Sequence, residues 1–187
     1  MMPPKRRTQG DLDSPWKEAL DLFLAPFLDL FYPAIHAGID WRRGYQSLDK
    51  ELQQVDARIG RRLADKLFKV WRKSGEEAWL LIHIEVQGRK ELAFAERMFV
   101  YSYRIYDRYH KPVMSLAILC DENPDWKPDS FGYDLWGSSV SFRFLVVKLL
   151  DLRSDEAALE RNPNVFAPIV LAQLKAIETR RSPTARG

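Results

Sequence analysis

The stretch RRLADKLFKVWRKSGEEAWLLIHIEVQG, Arg61 to Gly88, decides the fold that we expect for this chain. Two segments of strand-like character, RLADKLFKVW and AWLLIHIEVQG, lie on either side of the turn-like sequence RKSGEE. Gly75 in that turn suits a tight reversal of the chain. The stretch therefore predicts an antiparallel hairpin, or two strands of one sheet.

The second of these strands has alternate side chains of different character. Successive residues of a strand point to opposite faces of the sheet. The apolar residues, expected to enter a core, are Ile82, Ile84 and Val86. The polar residues, expected on the other face, are His83, Glu85 and Gln87. A core strand thus acquires a polar face towards its end.

Asp65 on the first strand is the natural partner of Glu85, because it lies as far before Gly75 as Glu85 lies after it. A simple hairpin puts the two acids opposite one another, within a residue or two of register. Opposed like charges destabilise a strand pair, and a divalent cation between them would remove that cost. Carboxylate oxygens suit Mg²⁺ or Mn²⁺. The alternative is that Asp65 forms an ordinary ion pair with a neighbouring cation such as Lys66.

The rest of the chain predicts helices interleaved with strands. A helix is expected from Ser14, with a kink at Pro26 and an end near Pro33, followed by a loop with a short strand or turn. Residues 90–110 predict a long helix, residues 111–122 a third strand, residues 123–139 a loop and residues 140–152 a further strand. Residues 154–179 predict two helices separated by an Asn-Pro break. This order indicates an α/β (α+β) fold with a mixed sheet flanked by helices.

Length and composition indicate one globular domain. The chain has 187 residues, of which 46% are hydrophobic and 29% charged, values that are ordinary for a soluble protein. We expect a disordered basic lead-in at residues 1–13, a single domain at 14–179 and a basic tail at 180–187. No apolar run approaches the ~20 residues that span a bilayer, so no membrane partner is expected. The single cysteine, Cys120, lies in an apolar run and predicts a core thiol in a reducing cytoplasm.

The predicted long helix has a basic stripe that includes a tyrosine. Residues Arg97, Tyr101, Arg104 and Arg108 recur at helical spacing. Such a stripe could follow a phosphate backbone, with Arg97 or Arg104 as the contact. In the other interpretation, acids of the same helix pair with these arginines and the tyrosines belong partly to the core. The aromatic helices are also a candidate face for a homodimer.

The sequence resembles the recombination-promoting nuclease and transposase group (Rpn, YhgA-like). The resemblance rests on Asp65, on the Glu-x-Gln of the next strand and on the FAERMFVYSYRIYDRY that follows it. That group belongs to the PD-(D/E)xK nuclease superfamily. The resemblance runs from SPWKEAL through LDKELQQV, LLIHIEVQG and PVMSLAILCDE to NPNVFAPIVLAQLKA, and covers nearly the whole chain.

The resemblance implies a restriction-endonuclease-like core of helix, three antiparallel strands, helix and strand. It implies Mg²⁺-dependent cleavage of double-stranded DNA, with Asp65 and Glu85 as metal ligands helped by the backbone carbonyl of Val86. Gln87 occupies the position of the motif's lysine, and its amide can orient water but carries no charge. The missing cation could come from Lys66 or from an arginine of the next helix. Glu51, if it lies on the first core strand, could join the site.

An alternative function follows from the same residues. Because Gln87 replaces a lysine, the chain could be a catalytically inactive member that binds DNA or a protein partner. Family members usually continue past the VLAQLKA helix, so the resemblance also implies a truncated member.

Overall fold

A computed structural model describes residue 16 and residues 18–56, 65–85 and 93–181. The expected lead-in at 1–13 lies outside the described residues, and so does the tail beyond Arg181. The predicted end of the last helix, at residue 179, is slightly short, since that helix extends to Arg181.

Seven strands form two separate sheets in the described part of the chain. In chain order they are β1 Gln46–Ser47, β2 Asp65–Trp71, β3 Glu77–Glu85, β4 Val113–Leu119, β5 Ser130–Leu135, β6 Ser138–Arg143 and β7 Leu145–Lys148. The main sheet has the order β1-β2-β3-β4-β7, and the second sheet is the hairpin β5-β6. Strand β2 runs antiparallel to both of its neighbours, β1 and β3, whereas β4 pairs parallel with β3 and β7 pairs parallel with β4.

Helices surround the main sheet. Residues 18–22 are helical, and the longer helices are α1 Leu24–Phe31, α2 Pro33–Gly38, α3 Asp49–Asp56, α4 Phe94–Tyr109, α5 Glu156–Arg161 and α6 Ala167–Arg181. The expected mixed sheet flanked by helices is confirmed. The implied order of helix, three antiparallel strands, helix and strand is present, with α3 inserted between β1 and β2. None of the described helices combines the length and apolar character that crossing a bilayer requires.

The middle of β3, residues 79–82, is buried on both faces because helices cover the sheet from both sides. On one face, Leu80 and Ile82 join a core that includes Phe27 of α1 and Leu174 of α6. On the other face, Trp79 and Leu81 pack with residues of α3 and α4. The expected core position of Ile82 is confirmed, and the opposite face is not simply polar. Cys120, directly after β4, is fully buried, as its apolar surroundings predicted.

The predicted hairpin of β2 and β3 is confirmed, with Gly75 in the turn at a φ of 93°. A positive φ of this size favours glycine, because other residues meet a steric clash between Cβ and the backbone.

The break in the first helical region lies at Phe23 and not at Pro26. Phe23 has a φ of −134° and precedes α1, so Pro26 falls in the first turn of that helix. A proline costs little there, because first-turn N–H groups have no partner within the helix. The predicted loop after Pro33 is also wrong in part. It contains α2, a 3₁₀ turn at Trp41–Arg43, β1 and the start of α3.

Residues 123–152 differ most from the prediction. The expected loop at 123–139 contains β5 and the beginning of β6, and the expected single strand at 140–152 divides into β6, β7 and a 3₁₀ helix, Leu149–Asp155. The hairpin turn consists of Trp136 and Gly137, both with positive φ. The chain then changes sheets at Phe144, whose side chain is buried and whose N–H donates to the carbonyl of Asp129 at 2.9 Å.

Gly132 on β5 is required by the close approach of β6. A Cβ at this position would lie 2.5 Å from the carbonyl oxygen of Val140, whereas a Cβ at Gly38 would meet nothing within 4 Å. We expect Gly132→Ala to lower the free energy of unfolding by about 1–3 kcal/mol, as overpacking does. We expect Gly38→Ala to leave it unchanged or raise it slightly, since alanine favours helix. Urea denaturation measures both, and equal effects at the two positions would contradict the close approach.

Candidate functional site

The β2–β3 ladder fixes the backbone positions of the two predicted metal ligands. Asp65 pairs with His83 in the antiparallel register, so Glu85 lies two residues further along β3. Positions 65, 83 and 85 share one face of the sheet, because strand positions alternate between faces. The predicted pairing of Asp65 directly with Glu85 is therefore shifted by two residues, within the expected range. Of these residues the structure describes the backbone, and Val86 and Gln87 lie outside the described residues.

The donor set at these positions suits a small divalent cation. Two carboxylates on adjacent strands are hard oxygen donors of the kind that Mg²⁺ and Mn²⁺ accept, usually with waters completing the coordination. The ladder positions of Asp65 and Glu85 are diagonal neighbours, a separation across which long side chains can still converge. The residue types and the backbone register therefore fit a metal ion at this end of the hairpin.

Lys66 is engaged elsewhere. Its ammonium group lies 2.6 Å from a carboxylate oxygen of Asp21 and 2.8 Å from one of Asp49, and its side chain is buried. Burial alone would lower the pKa of Lys66, but the hydrogen bonds that its ammonium donates to these two carboxylates raise that pKa above its usual value. Position 66 also does not share a face with position 65. The structure thus does not bring Lys66 together with the predicted metal ligands.

The basic stripe of α4 is only partly at the surface. Tyr101 is 1% exposed and packs in the core, as the alternative interpretation of the stripe expected. Arg97 and Arg104 are partly exposed, and the guanidinium of Arg97 lies over the ring of Phe94 at 5.4 Å. Arg97 belongs to the first turn of α4, the helix that follows β3 in the chain. The two arginines predicted as phosphate contacts therefore belong to the element that comes next in the chain after β3, the strand that ends at Glu85.

Glu51 is not on a strand. It belongs to α3, and the first strand of the sheet is β1, which ends at Ser47 before that helix. The prediction failed because α3 follows β1 after a single residue, Leu48, so the two elements could not be separated by composition. The prediction that Glu51 reaches the site from the first core strand is therefore wrong.

A buried ion pair, which we did not predict from the sequence, lies near the C-terminal ends of the parallel strands, the end of the sheet at which Glu85 lies. The parallel register aligns Glu85 with Leu119 of β4, and Leu119 with Lys148 of β7. The ammonium of Lys148 contacts the carboxylate of Asp121, and both side chains are 1% exposed. Burial lowers the pKa of Lys148, although the bond to Asp121 opposes that shift. The signal was available: a lone lysine in the apolar run FLVVKLL and an acid directly after an apolar strand.

This ion pair is linked by packing to the start of α4. The backbone N–H of Asn123 also donates to the Asp121 carboxylate, at 2.9 Å. The Lys148 ammonium lies 5.7 Å from the ring centre of Trp126, and that indole packs edge-on against Phe94 at 5.5 Å. Since Phe94 is the first residue of α4, the pair helps to fix the helix end that bears Arg97.

Comparisons of this chain with family models, with curated proteins and with solved structures find no match. The resemblance described above therefore stays a prediction from the quoted motifs.

The Asp121–Lys148 pair makes a stability prediction. Lys148→Met leaves a buried carboxylate without its cation and is expected to lower the free energy of unfolding by about 3–5 kcal/mol. Replacing both partners, as Lys148→Met with Asp121→Leu, is expected to recover most of that loss, because neither charge is then buried. Guanidinium denaturation provides the measurement.

The matched control is Lys127→Met. Lys127 contacts Asp151 at 2.8 Å, but about half of each side chain is exposed. Exposed pairs contribute up to about 1 kcal/mol, so this variant should change little. If Lys148→Met and Lys127→Met lowered the free energy of unfolding equally, the buried pair would contribute no more to stability than the exposed one.

Proposed function

We propose that this protein is a metal-dependent endodeoxyribonuclease of the recombination-promoting type. One observation carries the proposal: the β2–β3 hairpin has Asp65 and Glu85 at diagonal positions on one face, at the end of the hairpin remote from its turn. This is the arrangement that the PD-(D/E)xK resemblance implies. The helix α4 and the parallel strand β4 that follow the hairpin agree with the same expectation.

The residues present fit a Mg²⁺ ion, with Mn²⁺ as the alternative. In the proposed site Asp65 and Glu85 hold the metal and the carbonyl of Val86 supplies a further oxygen. A metal bound there supplies Lewis acidity to the scissile phosphate and to an attacking water. The two carboxylates would then no longer repel one another, so metal binding and the local stability of the hairpin end are coupled.

Binding of DNA phosphate is assigned to Arg97 or Arg104 of α4. A guanidinium donates two parallel hydrogen bonds to a phosphate and keeps its charge at any physiological pH. Lys66 is less suited to this role, because a phosphate would have to displace Asp21 and Asp49 from its ammonium. The cation that Gln87 does not provide is therefore assigned to an arginine of α4.

Cleavage depends on the two acids in this proposal. Asp65→Ala and Glu85→Ala are each expected to reduce nicking of supercoiled plasmid in Mg²⁺ by about 100-fold or more. Losing a metal ligand should cost at least as much as losing a group that hydrogen-bonds to one. EDTA should abolish nicking by the wild-type protein. Gel quantification of nicked and linear DNA gives the rates.

Glu76→Ala is the control for these variants. Glu76 is an exposed acid of the same hairpin, located in its turn and paired with Arg72 at 3.1 Å. Its loss should leave nicking unchanged. Wild-type rates in Asp65→Ala, or equal losses in all three variants, would refute the assignment of the site.

The second candidate function is a nuclease fold without activity, and the neutral Gln87 favours it. The two candidates differ in metal binding: the proposed nuclease binds Mn²⁺ in a calorimetric titration and loses that binding in Glu85→Ala. An inactive DNA- or protein-binding domain would show no Mn²⁺ binding that depends on Glu85.

The charge at position 87 should control the rate of cleavage. Gln87→Lys adds a cation near the phosphate and is expected to increase the single-turnover rate by about tenfold or more, whereas Gln87→Glu adds a repelling charge and should abolish cleavage. The expected order of rates is Lys, Gln, Glu. A flat or reversed order would mean that residue 87 does not face the reacting phosphate.

A further inference from the structure

Among the described residues, the large apolar side chains that are more than half exposed lie on α4 and the β5–β6 hairpin, apart from Leu22. Five large side chains there are more than half exposed, namely Tyr103, Tyr106, Tyr133, Leu135 and Trp136. Single exposed apolar residues are common on soluble proteins, but a contiguous group marks an interaction surface. Rings connect the two elements, because Phe99 of α4 stacks on Phe131 of β5 at 5.1 Å and on Tyr103 at 6.2 Å.

The hairpin has one apolar and one polar face. The cross-strand pairs Phe131–Phe142, Tyr133–Val140 and Leu135–Ser138 share a face, and the alternate positions are serines, Gly132, Asp134 and Arg143. Near the base, Phe131 and Phe142 pack on Phe99. Farther out, Tyr133 and Leu135 are 55% and 60% exposed. The core therefore covers only the inner half of the apolar face.

Trp136 at the tip has no evident role within the chain. It has a φ of 51° in the left-handed region, which residues other than glycine and asparagine seldom adopt, and its side chain is 98% exposed. Asparagine or glycine would make the same turn with less strain. An indole kept in a strained and fully exposed position is better explained by a contact with another molecule.

Charge decides which partner fits this surface. The hairpin, Ser130–Arg143, has Arg143 at its base as its one cationic residue, so its outer half lacks the cations that a nucleic acid requires. On the outer apolar face the exposed Tyr133 and Leu135 and the half-buried Val140 are uncharged, as are Tyr103 and Tyr106. Aromatic, uncharged surfaces of this kind form the centres of protein–protein interfaces. An identical surface related by a two-fold axis would meet it without opposing like charges.

We propose that the outer apolar face of the β5–β6 hairpin, together with Tyr103 and Tyr106, is the interface of a dimer of two copies of this chain. In the dimer, Trp136 and Leu135 of each copy lie against the hairpin face of the other. The contact covers the apolar surface that the monomer leaves exposed. It is independent of the proposed nuclease activity, since none of these residues belongs to the strand-end site.

The test is sedimentation equilibrium without DNA or metal. The wild-type protein is expected to be a dimer, and Leu135→Asp and Trp136→Ser are each expected to raise the dissociation constant by roughly 30-fold or more, as the loss of a central contact does. Circular dichroism should remain unchanged, because both side chains are exposed.

Leu22→Asp is the matched control. Leu22 is 70% exposed, comparable to Leu135, but belongs to the helical residues 18–22. This variant should dimerise like the wild type. A wild-type protein that is monomeric up to millimolar concentration would overturn the proposal, and so would a dimer that Leu135→Asp and Leu22→Asp weaken equally. A monomer whose DNA binding depends on Trp136 would assign the hairpin to nucleic acid and also overturn it.

Discussion

The structure depends on the enclosure of strand β3. Its two edges pair with β2 and β4, and its two faces are covered by separate helical layers. Burial of apolar surface is the main source of stability in such a core, and backbone groups without water must pair along the ladder. A strand enclosed in this way can present reactive groups only at its ends. In the proposed nuclease, the position of Glu85 at the last residue of β3 agrees with this constraint.

The enclosure also explains why the lysines near the strand ends form ion pairs. A charge in a semi-buried position needs a partner, because desolvation is costly. Lys66 has two carboxylates at its ammonium, and Lys148 has Asp121. Both cations are therefore neutralised by carboxylates of the fold itself. In the proposed nuclease, positive charge for the phosphate falls to α4, whose first turn packs through Phe94 and Trp126 against the buried pair.

The β5–β6 hairpin stands outside that enclosure. A two-stranded sheet has too little apolar contact to be stable alone, and this one packs at its base against the ring of Phe99 of α4. Its turn has the two positive φ values of a tight hairpin, but tryptophan occupies the first position. The Pro, Gly and Asp residues around it predicted a loop, although Phe131, Tyr133 and Leu135 alternate with small or polar residues as in a strand. Dimer formation, as proposed, would supply the apolar contact that the hairpin lacks.

By itself the sequence determined the elements whose pattern is local. The alternation around Ile82, the glycine turn at Gly75 and the helical periodicity of residues 94–109 reflect steric and burial rules that act within a few residues. They were sufficient for the mixed sheet and for the hairpin that brings Asp65 near Glu85. Only the tertiary structure decided the rest. The two-residue shift in register, the partners of Lys66 and the Asp121–Lys148 pair depend on contacts between segments far apart in the chain. A short-range pattern can mark a buried charge, as it does for Lys148, but which distant segment supplies the partner is set by the packing of whole elements.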